Sequence, residues 1–200
     1  MEIEYLENGF KFEKELNQLD EFTIEFCSIL NELKLNYVVV SGYIAILFGR
    51  NRASEDIDII VEKMDFKKFE ELWKKLDLDC LNADNSEDAY KEYLVNNESL
   101  RFSKHGEFIP NIEFKFVKNN WDLEALNEKK IVILNENIFY ISSTELNIAF
   151  KIYLGSDKDL EDASYVYEIF KDRLNMFKLE GYIKKLGIME EYKKWKLNLM

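Results

Sequence analysis

The stretch from Val38 to Val61 constrains this chain more than any other. A β-branched run, Val38-Val39-Val40, ends at Ser41-Gly42. An apolar segment from Tyr43 to Phe48 closes at Gly49, and Arg50 and Arg52 lead into Asp56-Ile57-Asp58-Ile59-Ile60-Val61. The first run predicts a short buried strand from Tyr37 to Val40. The apolar segment predicts a short buried helix stopped by glycine. The last run predicts a strand from Asp56 to Glu62, with Asp56, Asp58 and Ile60 on one face and Ile57, Ile59 and Val61 on the other.

The flanking sequence fills in an α+β layout. Leu16, Leu19, Phe22, Phe26, Ile29, Leu30 and Leu33 recur at helical spacing and predict a helix over about Glu13 to Lys34. Asp65 is placed to cap a helix reaching about Leu76, and Asn120 one reaching Leu126. Ser99 to Lys104 and Ile112 to Val117 predict a strand pair turning near His105-Gly106, and Ile131 to Leu134 and Ile138 to Ile141 a second pair turning at Asn135-Glu136-Asn137. Beyond Ile141 only helical patterns occur: Ser143 to Leu154, Lys158 to Asp172, Asn175 to Lys185 and Met189 to Leu197. The expected organisation is a core with its N-terminal helix over residues 1–142 and a helical C-terminal region packed on it over residues 143–200.

Composition narrows the function classes. The net charge is −12, which disfavours general binding to nucleic-acid backbone, because that binding needs Lys and Arg to neutralise phosphates. The charge is uneven: residues 1–30 carry eight acids against two bases, and residues 171–200 eight bases against four acids. One histidine and two cysteines, Cys27 and Cys80, exclude a His-rich zinc site and a disulfide framework. Cys27 falls in a helical pattern and reads as core filler, and His105 as a turn residue. The acidic start, Glu2, Glu4 and Glu7, is unlike a signal peptide, and no apolar run approaches the roughly 20 residues that span a bilayer. The expected location is the cytoplasm, with no membrane partner.

The central stretch also carries chemistry. Residues i and i+2 of a strand stand about 6.5–7 Å apart on one face, so Asp56 and Asp58 aim two carboxylates at one point, as Mg²⁺ with a nucleotide phosphate requires. Glu113, flanked by core-facing Ile112 and Phe114, is the candidate third carboxylate; Lys115 on the same strand face is its competing partner. Ser41-Gly42 at a strand-to-helix junction favours an anion, and Arg50 and Arg52 lie within chain reach of it.

These residues resemble the nucleotidyltransferase fold of the DNA polymerase β superfamily, whose signature is a small-residue turn, a short helix and a strand bearing Asp-x-Asp. Arg52-x-Ser54-x-Asp56-Ile57-Asp58 is most similar to the branch of abortive-infection, toxin-type and aminoglycoside nucleotidyltransferases. Lys151 followed by Lys158-Asp159-Leu160-Glu161-Asp162 is similar to that branch's Lys-Asp-x-x-Asp turn. The resemblance implies a mixed-sheet nucleotidyltransferase core flanked by helices. It implies Ser41, Gly42, Arg52 and Lys151 as nucleotide contacts, Asp56, Asp58 and Glu113 as ligands of two Mg²⁺ ions, and Lys158 and Asp159 as catalytic helpers. The implied reaction moves a nucleoside monophosphate from an NTP to a hydroxyl on a small molecule, RNA or protein, releasing pyrophosphate. Two departures, Ser-Gly in place of Gly-Ser and Glu in place of the commoner third Asp, keep an alternative open: a non-catalytic nucleotide-binding or protein-interaction module, as in a toxin–antitoxin pair.

Overall fold

A computed structural model describes residues 2–199. One mixed sheet of nine strands runs through it in the order β1-β2-β8-β9-β3-β4-β7-β6-β5. The strands are β1 (Ile3–Leu6), β2 (Gly9–Phe12), β3 (Tyr37–Val40), β4 (Asp56–Val61), β5 (Asp79–Cys80), β6 (Leu100–Ser103), β7 (Asn111–Phe116), β8 (Lys130–Leu134) and β9 (Asn137–Ile141). With the helices described below this is the α+β architecture the sequence predicts.

The centre of the sheet follows from its residues. β3 runs antiparallel to β4, and β4 parallel to β7, with Ile57 opposite Ile112, Asp58 opposite Glu113 and Ile59 opposite Phe114. The apolar partners share one face. There Phe114 and Phe102 pack against Phe26 of α1 (Gln18–Glu32), and Phe114 also meets Phe69 of α3 (Phe66–Lys75). Cys27 lies in this layer and is fully buried, which pushes its thiol up to about 12 despite the Tyr37 hydroxyl beside it. α2 (Tyr43–Leu47) is buried along its whole length, as its unbroken apolar run requires.

Two features depart from the sequence expectation. The first helix begins at Gln18, not near Glu13. The side chain of Asn135 accepts from the Lys14 amide at 3.0 Å and donates to the Lys14 carbonyl at 2.8 Å, so that backbone is already committed. Asn17 then caps the helix in a reciprocal box with Asp20. The second departure is the strand pair β1 and β2. β2 joins the sheet by running parallel to β8, and Gly9 is required there: a Cβ at this position would collide with the carbonyl of Ile131.

Local side chains cap most of the other helices. Asp65 caps α3 by accepting from Lys68 N. α4 (Ser86–Asp88) runs into a π-helical turn at Ala89–Leu94. Asn119, one residue before the expected cap, starts α5 (Asn120–Asn127). Asn135 and Glu136 both take positive φ in the two-residue turn between β8 and β9. Ser143 caps α6 (Thr144–Leu154), Gly155 ends it in the left-handed region, and Ser156 caps α7 (Asp157–Phe170). α8 (Met176–Leu186) and α9 (Met189–Leu197) follow. No helix among the described residues is long and apolar enough to cross a membrane.

Candidate nucleotide site

The site begins where β3 ends. Ser41 takes φ 67, a left-handed conformation that few side chains adopt. Asn147 of α6 holds it there, donating from Nδ2 to the Ser41 carbonyl at 3.1 Å. Gly42 then starts α2, and Arg52 reaches back over it. Nη2 of Arg52 stands where a Cβ on residue 42 would be, so only glycine leaves room.

The carboxylates lie beside this turn. Asp56, Asp58 and Glu113 share the sheet face opposite the aromatic core, with Asp58 registered between Val40 of β3 and Glu113 of β7. Burial raises the pKa of Asp58 above the ordinary carboxylate range; Lys115 opposes this, Glu113 and Asp56 add to it, and the Ser41 hydroxyl lowers it. These charges are therefore close enough to feel one another.

The basic partners differ from the expected ones. Lys115 sits 3.6 Å from Asp58, not on Glu113. Glu113 is gripped by Arg101 of the neighbouring β6, with Nε at 3.1 Å and Nη2 at 2.9 Å from the same oxygen. Among the described residues no group of three His, Cys, Asp or Glu side chains is disposed to hold a metal ion. The donor set still fits a hard cation at Asp56 and Asp58: two carboxylates on one strand face, one of them raised by burial first and by its acidic neighbours after that. Glu113 joins them only if Arg101 lets go.

Behind the turn lies a buried ion network. Asp162 is fully buried and meets Arg50, Arg52 (Nε at 3.2 Å) and Lys151 (Nζ at 3.0 Å). Lys151 also donates to Asp159 at 2.7 Å. Burial raises the Asp159 pKa, but hydrogen bonds from Lys151 and Ser156 outweigh it and leave the group below its ordinary value. Arg52 retains buried Nε and Nη1 atoms without a hydrogen-bond partner. The network ties the 49–55 loop, which delivers Asp56 and Asp58, to the start of α7. Lys158 is placed apart from it: its side chain is exposed, while its carbonyl accepts from Arg50 at 3.2 Å.

A cavity of about 170 Å³ opens beside Ser41, Lys115 and Lys151, walled by Trp121 of α5 and Phe150 of α6. Three participants were not singled out from sequence. Asp162 carried a signal, as the second acid of Asp159-x-x-Asp162. Arg101 carried a weaker one, its place on a strand paired with that of Glu113. Asn147 carried none, since its role depends on the turn it meets.

No protein-family model matches the chain, and no curated protein does. Solved structures do. An antigenic nucleotidyltransferase-like protein from Paracoccidioides brasiliensis is similar with a TM-score of 0.56 at 14% identity, over 90% of each chain. JHP933 from Helicobacter pylori aligns with a TM-score of 0.46 at 14% identity, over 89% of this chain and 80% of its own. A tRNA nucleotidyltransferase solved with primer tRNA and an ATP analogue aligns with a TM-score of 0.35 at 15% identity, over 86% of this chain and 60% of its own. Identities this low speak to architecture alone, and the similarity to the first of these gives the chain a nucleotidyltransferase-like fold.

Proposed function

We propose that this chain is a Mg²⁺-dependent nucleotidyltransferase that moves a nucleoside monophosphate from an NTP to a hydroxyl acceptor. The observation that carries the reading is the meeting of Ser41-Gly42 with Asp58 across β3 and β4, with Asp56 and Glu113 on the same sheet face. In this reading the helical region 143–200 closes over the core 1–142 and brings Lys151, Lys158 and Asp159 to the phosphate side.

Each residue has a defined part. Ser41 and the backbone at Gly42 receive phosphate oxygens. Arg52 and Lys151 set the positive charge behind them, and Asp159 keeps Lys151 in place. Lys158, exposed at the start of α7, reaches a phosphate or the acceptor. Asp56 and Asp58 would hold the metal, with Glu113 after release from Arg101. Bound Mg²⁺ supplies charge to offset what develops on the transferring phosphoryl group.

The grip of Arg101 on Glu113 and of Lys115 on Asp58 favours a second reading, a nucleotide-binding module that does not turn over. Its partner would be another protein, as in a toxin–antitoxin pair.

Labelled NTPs, offered one at a time with Mg²⁺ and a pool of cellular RNA, small molecules and proteins, separate the two. Label transfer by the wild type that is lost in Asp58→Ala supports the enzyme. Metal-dependent NTP binding without transfer supports the module. Wild-type protein that neither transfers label nor binds any NTP would sink both.

A further inference from the structure

The cavity beside Ser41 has two unlike walls. Its inner wall is apolar and aromatic: Trp121 and Phe150 meet edge to face at 5.3 Å, with Ala125, Leu146 and Leu154 around them. Its polar side is the catalytic end of the sheet. Lys115 lines it while standing 3.6 Å from Asp58, and Lys151 lines it while belonging to the buried ion network. A ligand that fills the hollow and continues outward is therefore a flat ring joined to an anionic group. Resting on the nucleotidyltransferase reading, we propose that this cavity holds the base of the bound nucleotide and is built for a pyrimidine.

Two observations bear on the base, and the size selects the single ring. The first is size. About 170 Å³ is close to the roughly 150 Å³ that encloses one benzene ring in an engineered protein cavity. A six-membered ring fills it, whereas the second ring of a purine stands outside.

The second is the polar equipment. Lys115 has only donors to offer; cytosine and uracil both carry the O2 carbonyl that accepts from it and adenine has no carbonyl, while guanine, which has one, is set aside by size. Asn147 lines the same cavity. Its Nδ2 is committed to the Ser41 carbonyl, which leaves Oδ1 buried without a partner. An acceptor in that state is costly unless a donor arrives, and since every base brings an N–H group this atom favours a base without choosing among them.

Nucleosides, which lack phosphates, test the slot separately from the phosphate cradle. Cytidine, uridine, adenosine and guanosine would be titrated into the full chain while the Trp121 indole N–H is followed by NMR, assigned through Trp121→Phe. Tripolyphosphate would be titrated in parallel. Cytidine and uridine are expected to move the Trp121 signal and to bind about tenfold more tightly than adenosine, the scale on which a pocket rejects a misfitting group. Ala125→Leu fills the slot and is expected to abolish nucleoside binding while leaving tripolyphosphate binding intact. Leu154→Trp, at an exposed position on the rim, is a second block should Ala125→Leu fail to fold. Purine nucleosides binding as well as pyrimidines, no nucleoside binding to folded wild type, or unchanged binding in both blocked variants each overturns the proposal. Nucleoside binding without tripolyphosphate binding would leave the slot standing and remove the phosphate cradle from the proposed function.

Discussion

Arg52 and Gly42 interlock: Nη2 of the arginine fills the space that a side chain on residue 42 would need. The guanidinium is thereby seated between the turn after β3 and Asp162 of α7. A glycine that appears from sequence to serve an anion directly serves first as the seat of an arginine. Gly42→Ala should displace Arg52 and cost about 1–3 kcal/mol, as forced overpacking does, read by urea unfolding. Arg52→Lys should not restore stability, because an ammonium lacks the planar fork that reaches across. Wild-type stability in Gly42→Ala would show that Arg52 has another resting place.

Asp162 is the single acid at the centre of three cations that are themselves mostly buried. Asp162→Ala removes the acid that all three share; Lys151 keeps Asp159 and Arg50 keeps Glu161, but Arg52 loses its carboxylate, and the fold should be destabilised by about 3–5 kcal/mol. Thermal and urea unfolding measure it. A loss under 1 kcal/mol would mean that water enters and replaces the carboxylate.

The clasp of Arg101 on Glu113 predicts the direction of a metal effect. Arg101→Ala frees a carboxylate on the face that holds Asp56 and Asp58, so Mn²⁺ should bind several-fold more tightly by titration calorimetry, on the scale of one charge-assisted hydrogen bond. Glu113→Gln in the same background should reverse the gain. Equal Mn²⁺ affinity in Arg101→Ala and wild type would remove Glu113 from the metal site.

His105 links two acids at the turn between β6 and β7, with Nε2 3.0 Å from Asp77 and Nδ1 2.7 Å from Asp79. The hydrogen bonds to Asp77 and then Asp79 raise its pKa. Asp79 is lowered, first by the Gly106 amide and then by His105. The histidine's contribution is complete below the unfolded value of about 6.5 and fades as pH rises through the higher folded value. The Asp79 contribution is present above about 3.9 and fades as pH falls through its lower folded value. Since this is the only histidine, its ring proton resonance gives a direct titration with an expected midpoint above 6.5. A midpoint at or below that value would show that the clamp does not persist in solution. His105→Asn should flatten the stability profile as pH rises above about 6.5.

Ser41 combines strain with chemistry. Ser41→Gly relieves a left-handed serine and should leave stability unchanged or raise it by up to about 1 kcal/mol, while Ser41→Ala keeps the strain. Both remove the hydroxyl beside Asp58, so both should weaken NTP binding in a fluorescence titration. Weakening in only one of them would assign the effect to backbone conformation, not to the hydroxyl.

The sequence makes some of this legible and hides the rest for physical reasons. β4 is legible because alternation leaves Asp56 and Asp58 on one face and Ile57 and Ile59 in the core, and its parallel register with β7 then brings Glu113 beside Asp58. The α6–α7 corner is legible because Ser143, Gly155 and Ser156 are local cap signals. β1 and β2 are not, since Gly9-Phe10-Lys11-Phe12 alternates but its partner, Ile131 to Leu134, lies more than a hundred residues away. The choice of Arg101 over Lys115 for Glu113 depends on side-chain reach between strands, and the cavity depends on α5, α6 and the sheet meeting. Neither is written in any one segment.

The pairing of β2 with β8 has a consequence for how the molecule is made. Residues 9–12 can enter the sheet only after residues 131–134 exist to receive them. During synthesis the β1–β2 hairpin has no seat until residues 131–134 have been made, and such distant partners are slow to find one another. Until that pairing forms, Phe10 and Phe12 expose apolar surface that the finished sheet conceals.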